Sequence, residues 1–380
     1  MTPNIFTTSG NRKLFSLAFP FLLLAFTLSG CASPKTCNYI PDKPIFFPPA
    51  PDEPRIQYLT GINSSDDIGI VKKQRKISLF MSGKEAPEVI KKIGKAYGIT
   101  AHKGKLYIPE GLNGRIDIID PVRGTFDSPA GLSTPKGSLK YPVNIALDDE
   151  GYMYVADTAR KEIVVYDPAG NFSAAFPTGF DKASRIVDVS IFDGKLFALD
   201  LGASRIRVLD RKTGEQTAEL GYIQKPDQSV RMPGNFVMDA AGNMLVTNIG
   251  SNKVTKYDQD GNFLGSFGGP GDTVGSFAKP KGIALSPEGY IFVVDGGTNL
   301  VQVFDDKFRS LTYFGWPGLP HGSLNGPAGI AVTTDNLEYF QKYAAPGFKV
   351  EYLVFVVSQF GQEYCVPRIS VYGVGQMRNR

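Results

Sequence analysis

The stretch Gly265-Ser-Phe-Gly-Gly-Pro-Gly-Asp-Thr-Val-Gly-Ser-Phe-Ala-Lys-Pro-Lys-Gly-Ile-Ala284 decides the fold of this chain. It begins in a short apolar strand, crosses a turn rich in glycine and proline, and ends in a second apolar segment. Residues 289–295, GYIFVVD, follow as another short strand. Such runs between glycine and proline signals indicate β-strands with short connections. The whole chain fits this pattern, with 42 glycines and 27 prolines among its 380 residues.

The pattern occurs six times. Each unit opens on one tripeptide: Tyr97-Gly-Ile99, Val143-Asn-Ile145, Val187-Asp-Val189, Gly234-Asn-Phe236, Lys281-Gly-Ile283 and Ala328-Gly-Ile330. The last residues of these tripeptides are 46, 44, 47, 47 and 47 positions apart. Second and third strands follow in each unit, and several third strands run into a turn and a fourth. Four strands in about 45 residues are the signature of propeller blades. The sequence therefore predicts an all-β, six-bladed β-propeller.

The repeats also point to a family. Residues 265–284 and 289–295 resemble the consensus of NHL repeats. The resemblance covers residues 97–373 and is strongest in blades two, four and five, whereas an insertion near residues 336–349 disturbs blade six. It implies a propeller of the NHL type.

Blade six lacks an evident fourth strand near the C-terminus. Residues 54–61, PRIQYLTG, alternate as a strand and lie outside blade one. We expect this segment to close the propeller as the outermost strand of blade six, because closure removes a free edge. The propeller then spans residues 55–376, with an insertion at 62–94 before blade one. Residues 70–81 of the insertion are a candidate amphipathic helix that either meets anionic head groups or caps the propeller.

Residues 1–30 have the form of a lipoprotein signal peptide. Arg12 and Lys13 precede an apolar run at 14–28 that is too short to span a bilayer. The string Leu28-Ser-Gly-Cys31 resembles the bacterial lipobox, which implies acylation of Cys31 and a lipid bilayer as partner. The resemblance also implies a cell-envelope location, and Ala32 favours the outer membrane. The alternative is an ordinary secretory signal with an incidental cysteine.

Residues 31–54 contain seven prolines and predict a semi-rigid polyproline II tether. The alternative is a coil that lies over the domain. Residues 47–58 resemble the opening of exported bacterial propeller lipoproteins, some of which are encoded beside multihaem cytochromes. This resemblance implies a protein partner in the envelope, with a cytochrome as the candidate.

The residues that carry chemistry are few. Cys37 and Cys365 are a candidate disulfide in an oxidising compartment. The chain has two histidines, His102 and His321, on different blades. A polar residue ends the second strand of five blades: Glu110, Asp157, Asp200, Asn248 and Asp295. This column predicts backbone hydrogen bonds in the following turn, and its alternative is a cation site. We predict no catalytic residues and no cofactor, since calcium or zinc belongs only to the alternative function below.

Basic residues stand in the loops that enter the innermost strands. They form a candidate binding ring: Lys95, Lys140, Arg185, Arg231, Lys279 and Lys281. We expect these loops to converge at one end of the central channel and to focus positive potential there, although solvated loops also tolerate lysine freely. The net charge of the whole chain is only +4, which gives no indication of a nucleic-acid partner.

These observations predict a membrane-anchored binding or scaffolding module of a bacterial envelope complex. The alternative function is a periplasmic hydrolase or lyase, similar to lactonases or amidating lyases, with a metal in the central channel. A fold alone does not settle which of the two applies.

Overall fold

The computed structural model describes residues 37–69, 81, 90–223, 225–315, 321–360 and 365–377. The chain divides into two units, residues 1–37 and 38–380, and only Cys37 of the first is among the described residues. The signal peptide, Cys31 and the candidate helix at 70–81, apart from Met81, therefore lie outside the described residues. None of the helices in the described part is long and apolar enough to cross a membrane.

The described strands, numbered in chain order, form six antiparallel sheets. Blades one to three are built from β3 Thr100–His102, β4 Lys105–Glu110, β5 Arg115–Asp120 and β6 Thr125–Asp127; β7 Pro142–Leu147, β8 Met153–Asp157, β9 Glu162–Tyr166 and β10 Phe172–Pro177; β11 Ile186–Phe192, β12 Lys195–Asp200, β13 Arg205–Asp210 and β14 Gln216–Leu220. The chain also forms a 3-10 helix, Ala130–Ser133, between blades one and two.

The remaining blades complete the ring. They are built from β15 Pro233–Met238, β16 Met244–Asn248, β17 Lys253–Tyr257 and β18 Phe263–Gly268; β19 Pro280–Leu285, β20 Ile291–Asp295, β21 Leu300–Phe304 and β22 Ser310–Phe314; β23 Pro327–Thr333, β24 Phe348–Ser358 and β25 Ile369–Met377, with β1 Ile45–Phe47 and β2 Ile56–Ile62 on the outside of blade six. The innermost strands contact one another in turn, and β23 contacts β3. The prediction of a six-bladed propeller is confirmed.

The N-terminal strand closes blade six as predicted. Strand β2 pairs antiparallel with β25, so that Tyr58 lies opposite Tyr372. The structure adds a strand that the sequence analysis did not predict, because β1 pairs with β2 and makes a fifth, outermost strand. Pro44 and Pro48 flank β1, and proline is tolerated at a sheet edge because no donor is needed there. Residues 45–47 of the predicted tether thus lie on the domain.

The insertion in blade six joins blade one. It contains the short helix α1, Leu337–Gln341, which follows Asn336. Asn336 Nδ2 donates to the carbonyl oxygen of Gly104 (2.7 Å), and the Gly104 amide donates to Asp335 (2.7 Å). Gly104 lies in the hairpin between β3 and β4, so these bonds fasten the last blade to the first.

Each apolar core lies between two neighbouring blades. The core between blades six and one contains Leu59, Ile99 and Phe355. The core between blades five and six contains Tyr58 and Phe314. Side chains of β2 enter both cores because successive residues of a strand face opposite sides. The closing strand therefore stabilises two seams of the ring.

The two ends of the ring differ in their connections. The loop that enters each innermost strand and the turn between the second and third strands lie at one end, because successive antiparallel strands alternate in direction. We call this end the top face. The other end, which holds the turns between the first and second and between the third and fourth strands, is the bottom face.

We predict that Leu59→Ala lowers the free energy of unfolding by about 2–5 kcal/mol, because Leu59 is fully buried in the seam between blades six and one. Chemical denaturation measures the change. The control is Leu264→Ala on the half-exposed outer strand of blade four, for which we expect a change within about 0.5 kcal/mol. Equal losses for both variants would contradict a stabilising role of the closing strand.

Candidate functional site

The column of polar residues at the ends of the second strands shapes the top face. Asp157 accepts hydrogen bonds from the amides of Lys140 (2.6 Å) and Tyr141 (3.0 Å), in the loop that enters β7. It also accepts bonds from the amides of Ala159 (3.1 Å) and Arg160 (3.0 Å), in the turn after β8. One buried carboxylate therefore fixes two top-face segments relative to each other.

Four other blades repeat this arrangement. The amide of the entering loop donates to the column residue in these pairs: Gly94 to Glu110, Arg185 to Asp200 (2.8 Å), Arg231 to Asn248 (2.8 Å) and Lys279 to Asp295 (2.7 Å). All five column residues are buried. The predicted bonds from amides of the following turn occur at Asp157, Asp200 and Asp295. The bonds to the entering loops were not predicted. Among the described residues, no three His, Cys, Asp or Glu side chains converge to hold a metal ion.

A polar chain links the centres of blades two, three and four. Asn144 Nδ2 donates to Asp188 Oδ1 (2.6 Å), and the amide of Phe236 donates to Asp188 Oδ2 (3.0 Å). Burial raises the pKa of Asp188 to about 8. Asp188 lies in one of the repeat tripeptides but was not among the predicted site residues. Its signal was a carboxylate at a position where other blades have glycine or asparagine.

Glycines take the same position in the other half of the ring. A Cβ atom on Gly282 would lie 2.4 Å from the carbonyl oxygen of Ala328, and one on Gly329 would lie 2.6 Å from the carbonyl oxygen of Tyr97. Neighbouring backbones touch here, so only glycine fits. The channel is therefore lined by polar side chains on one half and by bare backbone on the other.

A cavity of about 540 Å³ opens at the top of the channel and draws lining residues from all six blades. The lining is Tyr97, Tyr141, Val143, Asn144, Thr158, Arg185, Val187, Leu201, Pro233, Gly234, Asn235, Ile249, Lys279, Lys281, Gly282, Ala328 and Gln359. Among the described residues, the lining includes three cations and no carboxylate. The arrangement favours an anion.

Three members of the predicted ring line this cavity: Arg185, Lys279 and Lys281. Lys281 is partly buried, and its side chain lies over Gly296. Burial, with the charges of Lys279 and Lys95 nearby, lowers the pKa of Lys281 to about 8. Neighbouring cations therefore repel one another at the channel mouth. A bound anion would relieve that repulsion.

The other ring members lie outside the lining. Lys95 packs its ammonium 5.0 Å from the centre of the Phe360 ring and 5.9 Å from that of Tyr97. Lys140 and Arg231 are exposed on the top face, and neither lines the cavity. Sequence spacing placed five of these residues in equivalent loops, with Lys281 nearby, but did not determine which side chains turn toward the channel; Lys281 itself lies in β19.

Two tyrosines stand at the edge of the cavity. Tyr141 Oη donates to Tyr97 Oη (3.2 Å), and this bond and burial raise the pKa of Tyr141 to about 12. Tyr141 stays protonated at neutral pH and uses its proton in the bond to Tyr97, so the Tyr97 hydroxyl is the one that can donate to a bound group.

The structure separates the two histidines. His102 lies in the bottom-face hairpin of blade one, where burial lowers its pKa. His321 lies in the top-face loop before blade six, and its Nε2 donates to the carbonyl oxygen of Asn38 (2.8 Å). Cys37 and Cys365 are disulfide-bonded.

Comparison with known proteins supports the fold. No protein-family model matches the chain, and no curated protein matches it. A Bacteroides thetaiotaomicron protein of unknown function is 16% identical over 74% of this chain and 70% of its own, with a TM-score of 0.54. An auxiliary nutrient binding protein from the same organism is 14% identical over 74% and 69%, with a TM-score of 0.53.

A third solved structure, Kuenenia stuttgartiensis hydrazine synthase, is 12% identical and covers 77% of this chain and 98% of its own, with a TM-score of 0.50. At these identities the likeness extends to the propeller fold alone. The class that fold and site define is thus a six-bladed β-propeller with a cationic channel mouth.

We predict that the proton held by the buried Asp188 makes the free energy of unfolding depend on pH. Its folded pKa, near 8, lies above its ordinary value of 3.8. The folded state therefore keeps a proton that the unfolded state releases, and stability falls as pH rises between those values. Between pH 5 and pH 7 the loss is roughly 1.4 kcal/mol per pH unit. Urea denaturation measures it.

The control for this prediction is Asp188→Asn, which has no proton to release. The loss of stability between pH 5 and pH 7 should be smaller in this variant by the contribution of one carboxyl group. Parallel profiles for the two proteins would show that Asp188 is ionised in the folded state.

Proposed function

We propose that this protein is a lipid-anchored envelope protein of the NHL-propeller type that binds an anionic ligand at the channel mouth and catalyses no reaction. The cavity at the top of the channel carries this proposal, because Arg185, Lys279 and Lys281 line it without a carboxylate among the described lining residues. Such a concave, single-sign surface concentrates potential on the ligand.

The chemistry of the lining suits an oxyanion such as a phosphate or carboxylate. The Arg185 guanidinium presents a planar pair of donors to such a group, while Lys279 and Lys281 act as point charges. Tyr97, Asn144 and the other polar lining residues add neutral hydrogen-bonding groups. The aspartates of the column are buried, and their oxygens accept hydrogen bonds from backbone amides and, in Asp200, also from the side chains of Ser184 and Arg207. They therefore shape the loops, and the cations bind the ligand.

The anchor and the compartment are part of the same proposal. Cys31 in the Leu28-Ser-Gly-Cys31 string supports acylation, and Ala32 supports the outer membrane. A protein partner in the envelope is also part of the proposal, and a multihaem cytochrome is the candidate that the sequence resemblance suggests. No resident cofactor is part of the proposal.

We expect inorganic pyrophosphate, used as the probe, to bind the purified protein in a salt-sensitive way. Isothermal titration calorimetry should show a loss of at least about tenfold in affinity for the variant Arg185→Gln/Lys279→Gln, because each lost charge contact costs of the order of 1 kcal/mol or more. The control, Lys195→Gln/Lys212→Gln, removes two exposed bottom-face charges and should bind as the wild type does.

A pH series gives the second readout of the same experiment. The affinity of the wild type should fall between pH 7 and pH 9, since Lys281 loses its charge near pH 8. The variant Lys281→Arg keeps its charge and should fall less. Absence of binding at millimolar pyrophosphate, or equal binding by Arg185→Gln/Lys279→Gln and the control, would overturn the proposal.

A further inference from the structure

Exposed cations extend over the top face beyond the channel mouth and outnumber the exposed carboxylates of the same loops, such as Asp181, Asp227 and Asp272. Lys140 and Arg231 are exposed there without lining the cavity. Further exposed lysines stand in the same set of loops and turns: Lys136, Lys161, Lys182 and Lys225. One small ligand in the channel cannot contact all these side chains. Their distribution fits an extended anionic surface.

The same loops expose large apolar side chains. Among the described residues, the top-face loops and turns carry Leu112, Tyr222, Met232, Val274 and Phe360, each more than half exposed. The turns of the bottom face carry one such residue, Val122. Apolar side chains interleaved with lysine and arginine are typical of protein surfaces that lie in a membrane interface, where the cations meet phosphates and the apolar groups enter the head-group layer.

The chain enters the propeller at this face. Asn38, the first residue of the compact unit, accepts a hydrogen bond from His321 in the top-face loop before blade six. Tyr39 packs near Gly61, at the top end of the closing strand. Only six residues, 32–37, separate Asn38 from Cys31. Fully extended, this connection reaches about 25 Å at most.

We infer that the top face docks on the anionic head groups of the membrane in which Cys31 is anchored. The inference rests on the proposed function for the anchor and deepens it, because it names membrane phosphates as the anionic partner of the top face. A connection this short keeps the top-face end of blade six within reach of the bilayer. The complementary charges and the exposed apolar residues then favour contact between the top face and the bilayer over a propeller that is held away from the membrane in solvent.

The test uses the acylated protein reconstituted into vesicles of phosphatidylcholine alone and into vesicles that also contain phosphatidylglycerol. Hydrogen–deuterium exchange measures the protection of each loop. On the anionic vesicles, we expect several-fold slower exchange in the top-face loop at residues 221–232 than on the neutral ones. The bottom-face turn at residues 286–290 should exchange equally on both, and high salt should abolish the difference.

Three variants separate the effect of top-face charge from those of net charge and of the exposed apolar side chains. Lys140→Glu/Lys182→Glu/Arg231→Glu reverses three top-face cations outside the cavity lining and should lose the protection. Lys195→Glu/Lys212→Glu/Lys307→Glu makes the same change in net charge with bottom-face residues and should keep it. Leu112→Ser/Met232→Ser should weaken the protection without altering pyrophosphate binding.

The outcomes distinguish this inference from the proposed function. Protein retained on both kinds of vesicle, with no protection that depends on phosphatidylglycerol, would overturn the docking and leave the anchor and the channel site intact. Protection of the bottom-face turn instead would overturn it as well, and so would loss of protection in both charge-reversal variants.

Protein absent from neutral vesicles would refute the anchor, and normal docking with no pyrophosphate binding would refute the channel site alone. Protection that appears only when an acidic envelope protein is added would assign the face to a protein partner and contradict the membrane.

Discussion

The pairing of β2 with β25 is the constraint on which the rest of this molecule depends. Five sheets each consist of consecutive strands, so they form from local segments of the chain. The sixth sheet needs strand β2, which lies more than 300 positions from its partner β25 in the sequence. Its side chains fill both seams that flank blade six, and two aromatic side chains, Tyr58 and Tyr372, meet there with ring centres 5.6 Å apart. Without this pairing, two cores would be open to water.

Closure also decides which face of the propeller receives the N-terminal connection. The edge strand β1 runs away from the top face, and β2 then returns toward it. The residues that precede β1 therefore lie near the top face, where Asn38 contacts the loop before blade six. The same face contains the loops that the buried column fixes in place. The rigid, cationic surface and the entry of the N-terminal connection therefore lie on the same face because of the way in which blade six closes. The proposed membrane contact depends on this closure, whereas the channel site is lined by residues of all six blades.

The repeat spacing was sufficient to predict the blade count, because each blade is a local pattern. The closure could be predicted because blade six lacks a fourth strand of its own and residues 54–61 alternate as a strand that belongs to no other blade. Strand β1 was missed because Ile45–Phe47 is short and proline-flanked, and only its partner β2 makes it a strand. The ring of cations was predicted loop by loop, but the burial of Lys281 and the exposure of Arg231 depend on packing between blades. The central role of Asp188 needs Asn144 and Phe236 from two other blades, and no local pattern reveals such a contact.

Native-state hydrogen exchange of the β2 amides tests the closure most directly. If β2 is an integral part of the ring, its amides open only in global unfolding, and their free energies of exchange equal those of β24 in the middle of the same sheet. If the β2 amides exchange through a local opening of much lower free energy while β24 stays protected, the strand is a detachable cover. The propeller would then hold together without β2, which contradicts its role as the strand that closes the ring.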